Sequence, residues 1–451
     1  MKCSLCVCLM LFLPSVSGAV DEWPQFRGPT GDGQADASNL PDTWSESQNI
    51  AWKTAVPGRG WSSPAVAEGV AWISYAIVEP LDEADVERIR KEKLSGSPID
   101  SQMEVMGSAK MFVVGVDLNT GKLRKPIPLA QVAAPDPIHY LNSYASPSPI
   151  VHDGKLVCHF GKYGTICLDT KTSQVLWKKE FVIDHSVGPG SSPALHNGVV
   201  IIPCDGTDNQ FVIGLDLKTG KQLWRTDRPK MTGKLGDMHK AFATPLVVKH
   251  KGKDQAIVPG AQWFVSYDPM TGRELWRFHH GEGFSNVPSP IVKKGVAYLC
   301  TGFEQPELCA IRIDGSGDVT KTAELWRHRR QVPMMSSPIL VEDAIYFISN
   351  QGVLTCLEAA DGKPRWQKRL KGNFIASPIC ADGKIFFCSR EGETTVLRSG
   401  DKFDQIAMNV LPDQLMASPV VVGDTLLLRG ESYLYKIRKQ ETVERTTRKS
   451  P

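Results

Sequence analysis

Short apolar segments recur along the chain, and each of them follows a small hydroxyl-bearing residue and a proline. The eight copies are Ser63-Pro64, Ser148-Pro149, Ser192-Pro193, Thr244-Pro245, Ser289-Pro290, Ser337-Pro338, Ser377-Pro378 and Ser418-Pro419. The intervals between them are 85, 44, 52, 45, 48, 40 and 41 residues. Proline is tolerated at the first residue of a strand, and a period of about 40–50 residues is typical of β-propeller blades. The pattern therefore predicts eight blades.

A second pattern marks the same period. In its fullest copy, residues 216–224, the sequence Asp-Leu-Lys-Thr-Gly precedes an outgoing strand that contains Trp224. The glycine predicts a tight turn, because glycine reaches positive φ at low cost. A large flat ring at a fixed place on the outer strand suits packing against the neighbouring blade. The tryptophans expected to have this structural role are Trp52, Trp177, Trp224, Trp276, Trp326 and Trp366.

Two blades depart from this second pattern. Blade 1 has Lys125 at the tryptophan offset, and the turn of blade 7, Ser399-Gly400, is followed by no tryptophan. Weaker contacts between blades are expected at both places.

The two ends of the repeat region complement each other. Residues 49–56 read as the outgoing strand of a repeat whose beginning is missing, whereas residues 418–438 lack an outgoing strand. The first strand is therefore predicted to complete the last blade, which would remove the exposed edges of an open ring. The predicted fold is all-β: residues 49–438 form an eight-bladed propeller of four-stranded antiparallel blades.

The first repeat carries an insertion, residues 78–109. Acidic residues come early in it and Lys91 and Lys93 come late, an order that suits the helix dipole. This predicts a helix over residues 78–94. The insertion is either a solvated decoration or an arm that binds a partner.

Residues 20–48 are polar and rich in turns, and they are predicted to lie on the propeller as a strap or plug. Trp23, Phe26 and Trp44 are the expected anchors. The glycines between Arg27 and Gly33 would also suit a ligand loop, because glycine lets a backbone approach closely. The lysine and the helix of a phosphate loop are missing from this segment.

The N-terminus has the features of a secretory signal over residues 1–19. Lys2 provides the charged start, an apolar core follows, and Ser17-Gly18-Ala19 resembles a cleavage site. The core is too short to span a bilayer, and no other stretch is apolar enough to do so. An exported protein, periplasmic or extracellular, is therefore expected. Residues 439–451 form a polar tail that is predicted to be disordered.

Charge and cysteine usage narrow the choice of partners and ligands. The formal net charge is +3, from 52 basic and 49 acidic residues, which gives no case for nucleic acid as a partner. Outside the predicted signal sequence, no Cys-x-x-Cys pair suggests a zinc site. Two pairs, Cys158 with Cys167 and Cys300 with Cys309, share a nine-residue interval across probable hairpins. Export permits disulfides in both pairs, but small buried hydrophobic residues are the favoured interpretation.

The repeat Leu-Asp-x-x-Thr-Gly-x-x-Leu-Trp with Ser-Pro strands resembles the PQQ-type propeller repeat of BamB-like proteins and quinoprotein dehydrogenases, over about residues 49–438. The dehydrogenase resemblance implies PQQ with Ca²⁺, an adjacent cysteine pair over the cofactor and an aspartate base. The chain has no Cys-Cys dipeptide. The BamB-like resemblance implies a monomeric scaffold without cofactor that binds another envelope protein, and this is the preferred expectation. The alternatives are a PQQ-dependent dehydrogenase and a protein that binds a glycan or small molecule in the central funnel.

The loops that connect each outer strand to the next Ser-Pro strand are expected to gather on one face around the axis. Binding residues concentrate on such loops. Hydrogen-bonding and aromatic side chains on them would orient a partner or a funnel ligand. The candidate residues are Arg59, Trp61, His139, Tyr140, His185, His239, Lys240, Asn286, Arg330, Asn373 and Phe374. No catalytic set is identified, and the spacing of the three histidines has no signature of a metal site.

Overall fold

The computed structural model describes residues 22–233 and 236–440, so the predicted signal sequence and most of the predicted C-terminal tail lie outside the described residues. Eight consecutive sheets, each built on four antiparallel strands, follow one another along the chain. The predicted eight-bladed propeller is confirmed. Two sheets gain a two-residue parallel strand, Gly317–Asp318 in blade 4 and Gln34–Ala35 in blade 7.

Each blade has four strands, named in order from first to fourth. The strands of blade 1 are Ala65–Ala67, Val70–Glu79, Ser108–Asp117 and Ile127–Val132. Those of blade 2 are Ile150–His152, Lys155–His159, Thr165–Asp169 and Val175–Lys179. The strands of blade 3 are Ala194–His196, Val199–Asp205, Gln210–Asp216 and Gln222–Asp227. Those of blade 4 are Leu246–His250, Lys253–Pro259, Trp263–Tyr267 and Glu274–His279. The strands of blade 5 are Ile291–Lys293, Val296–Cys300, Leu308–Arg312 and Glu324–His328. Those of blade 6 are Ile339–Val341, Ala344–Ile348, Val353–Glu358 and Pro364–Arg369. The strands of blade 7 are Ile379–Ala381, Lys384–Cys388, Glu393–Arg398 and Asp404–Val410. Those of blade 8 are Val420–Val422, Thr425–Arg429, Tyr433–Ile437 and, from the N-terminal side, Ile50–Ala55.

The N-terminal strand closes the ring as predicted. Ile50–Ala55 pairs antiparallel with Tyr433–Ile437, so blade 8 combines the two ends of the repeat region. The seam between blades 8 and 1 also contains the buried side chain of Arg429. Its guanidinium donates to the carbonyl oxygens of Ser62 and Ser74 in blade 1.

Serine hydroxyls join neighbouring blades at the start of their first strands. The backbone N–H of one Ser-Pro serine donates to the hydroxyl of the next at 2.9–3.0 Å. The bonded pairs are Ser63–Ser148, Ser148–Ser192, Ser192–Thr244, Ser289–Ser337, Ser337–Ser377 and Ser377–Ser418. The first strands of blades 1 and 2, of blades 3 and 4, and of blades 6 and 7 also contact one another. This belt explains why a small hydroxyl residue precedes the proline at six of the eight positions.

The repeat tryptophans lie between blades. The Trp177 indole nitrogen donates to the carbonyl oxygen of Leu217 in the next blade at 2.9 Å, and the ring lies against the turn glycine Gly220. Trp52, Trp224, Trp326 and Trp366 donate in the same way to the carbonyl oxygens of Leu118, Pro269, Ala359 and Gly400. Trp276 differs, because it donates to Gln255 of its own blade. Gln255 in turn donates to Ile313 of blade 5.

The register identifies the residues that replace tryptophan in the two irregular blades. Trp177 stands opposite Cys167, immediately before a bulge. The corresponding residue in blade 7 is Ala407. In blade 1 the turn has the same form as in blade 3, because Gly121 donates to Asp117 as Gly220 does to Asp216, and Val116 pairs with Leu123 as Leu215 does with Gln222. Lys125 therefore holds the position of Trp224, as its offset from the turn predicted.

The two cysteine pairs do not form disulfides. Cys158 stands opposite Ile166, and Cys167 stands opposite Val157. The same one-residue offset separates Cys300 from Cys309. Since neighbouring residues of a strand point to opposite faces, the thiols of each pair lie on opposite sides of their blade. All eight described cysteines are free and buried, which supports the favoured interpretation of small hydrophobic core residues.

The insertion begins later than its sequence suggests. The second strand of blade 1 continues to Glu79 and pairs with Ser108, so the segment outside the sheet is 80–107 rather than 78–109. Its α-helix is Glu83–Ile89, capped by the side chain of Asp82, and it continues as a π-helical turn over Arg90–Leu94. Further 3-10 turns are Asp100–Gln102, Gly161–Tyr163 and Gly236–His239.

The insertion is held against the propeller. Its residues Met103–Glu104 pair with Ile138–His139 in the loop between blades 1 and 2. Leu94, Met103 and Val105 form a small buried cluster with neighbouring apolar side chains.

The strap, residues 22–48, lies inside the ring and then crosses to its outer side. Trp23 exchanges backbone hydrogen bonds with Val66 of blade 1. Farther along, the strand Gln34–Ala35 pairs with the first strand of blade 7. Trp44 is buried, and its backbone N–H donates to Asn409 of blade 7. Of the three predicted anchors, Trp23 and Trp44 are buried and Phe26 is half-buried.

Candidate functional site

The antiparallel order of each blade divides its connections between two faces. The loop between the second and third strands and the loop that leads to the next blade share one face, termed the upper face. The turns between the first and second and between the third and fourth strands form the lower face. The insertion connects the second and third strands of blade 1, so it lies on the upper face with the predicted site loops.

Four of the predicted residues form a contiguous group on this face. The Arg59 guanidinium donates to Glu104 of the insertion at 2.5 Å and to the carbonyl oxygen of Tyr140. It also lies 5.4 Å from the Trp61 ring. The His139 ring packs 4.8 Å from the Tyr140 ring. The group therefore joins the seam of blades 8 and 1, the insertion and the loop before blade 2.

Tyr140 extends this group across the mouth of the funnel. The residue is 41% exposed, and the guanidinium of Arg390 in blade 7 lies 5.9 Å from the centre of its ring. Arg390 is held in turn by a hydrogen bond to Gln414 at 3.1 Å. His139 bonds to Gln102 of the insertion at 3.0 Å, and partial burial lowers the pKa of its imidazole. This side of the upper face is thus a connected surface of aromatic and cationic groups.

Four other predicted residues are buried and contribute to the interior of the loops. Phe374 and Asn286 are 2% and 0% exposed. The Asn286 amide donates to the carbonyl oxygen of Cys300 at 3.2 Å. Lys240 is buried beside Asp237 and forms an ion pair with it. His185 is also buried, and its desolvation lowers the pKa of the imidazole to about 4.

The remaining three residues lie at the surface in separate places. His239 bonds to the carbonyl oxygen of Thr232 at 3.0 Å. Asn373 is exposed, and its amide donates to Glu391 at 2.8 Å. Arg330 is exposed on the loop before blade 6.

The described ranges contain no group of three or more His, Cys, Asp or Glu side chains placed to hold a metal ion. His139, His185 and His239 each have different surroundings. Within residues 22–233 and 236–440, no helix is long and apolar enough to cross a bilayer.

A polar groove lies between blades 5 and 6, and none of its residues is among the site residues predicted from the sequence. It has a volume of about 400 Å³ and is lined by Glu304, Gln305, Pro306, Glu307, Arg329, Gln331, Val332, Met334, Ser349, Asn350 and Gln351. Glu307 forms ion pairs with Arg327 and Arg329 in its wall. The sequence signal was the charged, proline-containing segment Glu304–Glu307 between two strands of blade 5, which is longer than the equivalent turn of blade 6.

Known proteins resemble this chain in sequence. A family model described as outer membrane protein assembly factor BamB matches residues 43–226, 208–340 and 260–431. BamB of Moranella endobia (strain PCIT) is 25% identical over 227 residues, which cover 49% of this chain and 53% of that protein. BamB of Burkholderia pseudomallei (strain K96243) is 26% identical over 215 residues, covering 45% and 49%. The matches thus span about half the length of these curated relatives.

Solved structures show the same fold. BamB from Moraxella catarrhalis superposes with a TM-score of 0.57 and 13% identity, covering 87% of this chain and 98% of that one. Quinohemoprotein alcohol dehydrogenase from Comamonas testosteroni superposes with a TM-score of 0.63 and 11% identity, covering 94% and 82%. Identities this low support the architecture alone. The family matches together extend from residue 43 to residue 431, and the chain therefore belongs to the family of outer membrane protein assembly factor BamB.

Proposed function

We propose that this protein is an exported, non-catalytic scaffold that binds another protein of the cell envelope through its upper face. The observation that carries the proposal is the connected surface around Tyr140, to which the insertion, the blade 8–1 seam and blade 7 all contribute. Arg, Tyr and Trp are the residue types enriched at protein–protein interfaces. Family membership supports the same reading, because the relatives are named as assembly factors.

The loops of this face are prepared for binding without large rearrangement. Asn373 is fixed by Glu391, and Arg59 is fixed by Glu104. The Asp413 carboxylate accepts the backbone N–H groups of Ser432 and Tyr433 and so ties two loops together. Side chains that are already ordered lose less conformational entropy when a partner binds. The proposed unit is a monomer in the periplasm or outside the cell, without a cofactor.

The alternative of a PQQ-dependent dehydrogenase is not favoured by the donor groups. The resemblance to that class implies an adjacent cysteine pair over the cofactor. The eight described cysteines are instead buried, and no two are neighbours in the chain. The carboxylates of the upper face, such as Glu104, Glu307 and Glu391, are engaged by arginine or asparagine side chains.

The test is a crosslinking pull-down from the native envelope with a triple variant, Tyr140→Ala, Arg330→Ala and Asn373→Ala. These three side chains are exposed on the upper face. The matched control replaces Lys171, Lys218 and Lys363 by alanine, which are exposed on lower-face turns. We expect the upper-face variant to lose its partner proteins and the control to retain them. Equal recovery by both variants would overturn the proposal, as would dye-linked alcohol oxidation after reconstitution with PQQ and Ca²⁺.

A further inference from the structure

The strap places an arginine inside the ring of first strands. Val151 of blade 2 donates to the carbonyl oxygen of Pro24, and Cys380 of blade 7 donates to that of Gly33. Arg27 lies between these two anchor points. Its guanidinium Nη2 donates to the carbonyl oxygen of Pro338 in blade 6 at 2.9 Å. A short segment that contacts blades on opposite sides of a ring must pass through its central channel.

Arg27 is buried and poorly partnered. The residue is 1% exposed, and Nη2 also donates to the carbonyl oxygen of Asp32 at 2.5 Å. Nε and Nη1 have no hydrogen-bond partner among the described residues. The Asp32 carboxylate is near enough to favour the charged guanidinium, but desolvation outweighs it and lowers the pKa of Arg27 to about 10. That carboxylate instead accepts hydrogen bonds from Thr30 and the backbone of Gln34.

Other buried donors occur in the strap and in the first strands around it. The indole nitrogen of Trp23 and the hydroxyls of Ser63 and Ser289 have no partner among the described residues. Trp23 is linked to the arginine loop, because its ring lies against Gly28. Ser289 is linked to it through Ser337, whose hydroxyl accepts from the Ser289 backbone and which precedes Pro338. All of these groups can donate a hydrogen bond.

The two unpaired serine hydroxyls mark the gaps in the serine belt. Around the ring, Ser289 comes after Thr244, and Ser63 comes after Ser418. At the other six junctions the serine or threonine hydroxyl accepts a hydrogen bond from the backbone N–H of the preceding blade, but the hydroxyls of Ser289 and Ser63 accept none. The inner wall therefore offers unpaired donors close to the strap.

A second buried arginine shows how this chain compensates a guanidinium when a carboxylate is available. Arg228 donates two hydrogen bonds to Asp205, at 2.9 and 2.6 Å, and both side chains are 1% exposed. A buried charge without such a partner is strongly destabilising, and each unpaired buried donor adds the cost of its lost hydration. An oxyanion would offset both costs at Arg27, because guanidinium binds planar or tetrahedral oxygen groups with paired N–H donors.

We propose that the channel beside the strap binds one small oxyanion, a phosphate, sulfate or carboxylate group, on the Nε and Nη1 donors of Arg27. Ser289 and Trp23 supply further donors around it. The loop from Arg27 to Gly33 is closed by a hydrogen bond from the Gly33 N–H to the Arg27 carbonyl oxygen at 3.0 Å. A Cβ at Gly33 would lie 2.8 Å from Nη2, so this glycine lets the loop close around the guanidinium.

The test measures binding of inorganic phosphate, sulfate and acetate to the purified full-length protein at constant ionic strength. Equilibrium dialysis gives stoichiometry and affinity, and the thermal midpoint gives linkage to folding. Binding to the folded state raises the midpoint with ligand concentration. We expect one saturable site per chain. Tighter binding of phosphate or sulfate than of acetate would identify a tetrahedral ligand, and the reverse order would identify a carboxylate.

The decisive variant is Arg27→Gln, and Arg273→Gln removes the same charge from an exposed position on a lower-face turn. We expect Arg27→Gln to weaken binding at least tenfold and Arg273→Gln to leave it unchanged. Ser289→Ala, which removes one donor without touching the strap, should weaken binding a few-fold, and it serves if Arg27→Gln does not fold. Absence of saturable binding to the wild type, or unchanged affinity in the folded Arg27 or Ser289 variant, would overturn the proposal. Neither result bears on partner binding at the upper face.

Discussion

The indole ring of Trp177 lies directly against Gly220 of the next blade. A Cβ added at Gly220 would come within 2.6 Å of the ring, and the Gly220 φ of +70° is in the left-handed region. The same contact joins Trp52 to Gly121 and Trp224 to Gly272. The two residues that define the repeat in the sequence therefore meet across the blade interface, and each needs the other in the neighbouring repeat.

Substitution of Gly220 by alanine tests this contact. The left-handed conformation costs about 1–2 kcal/mol for a residue with a Cβ, and overpacking costs about 1–3 kcal/mol more. We expect Gly220→Ala to lower the free energy of unfolding by about 2–5 kcal/mol in denaturant titrations. Gly198→Ala is the matched control, because Gly198 has a φ of +80° and a Cβ added there would meet nothing within 4 Å. Equal losses in the two variants would show that the ring contact contributes nothing.

Trp44 occupies the place where blade 7 lacks a tryptophan. It belongs to the same buried cluster as Ala407, and its ring stacks on Phe386 at 6.4 Å. Truncating a buried tryptophan typically costs about 3–5 kcal/mol. We expect Trp44→Ala to lower the free energy of unfolding by about that amount. Phe26→Ala, at a half-buried strap position, should have the smaller effect in the same titration, and a larger effect there would contradict this role of Trp44.

A buried histidine makes stability depend on pH. His280 is stacked on Phe264 at 4.2 Å, and burial lowers the pKa of its imidazole to about 3. In the unfolded chain this group takes up a proton near its ordinary pKa of about 6.5. Because the folded pKa is the lower one, the stabilising contribution is complete above about pH 6.5 and declines as pH falls toward the folded value.

The variant His280→Gln should therefore flatten the pH dependence of unfolding. Between about pH 4 and pH 6, we expect it to take up about one proton fewer on unfolding than the wild type. The measurement is the free energy of unfolding against pH, and His152→Gln at an exposed position is the control. An unchanged slope in the His280 variant would contradict the assigned protonation of this residue.

The insertion provides a fourth prediction. Replacing residues 80–107 by an Asn-Gly turn would connect Glu79 and Ser108, which are already paired in the sheet. We expect the far-ultraviolet circular dichroism to keep its β-sheet signature, because the ring does not depend on this segment. The loop around Ile138 and His139 would lose its pairing strand and become sensitive to limited proteolysis. A loop as protected as in the wild type would show that the insertion does not order it.

The sequence was sufficient for the architecture because its signals are local and repeated. The Ser-Pro strands and the Trp224-type strands each mark their own blade. The candidate site was harder to predict, because a loop residue's burial depends on its neighbours in space. Phe374 and His185 read as face residues in the sequence, yet both are buried. Register also decides between the two interpretations of the cysteine pairs, since a one-residue offset places Cys158 and Cys167 on opposite faces and excludes the disulfide.

Blade 8 combines strands from the two ends of the repeat region, so it is the last blade that can be completed. Ile50–Ala55 is synthesised long before its partner Tyr433–Ile437, because the other seven blades lie between them in the sequence. Until that segment emerges, the early strand has an unsatisfied hydrogen-bonding edge, which is the kind of surface that recruits foreign chains. Nascent copies consequently remain exposed to misassembly until the partner strand is available, and a truncation before residue 433 leaves this edge permanently open.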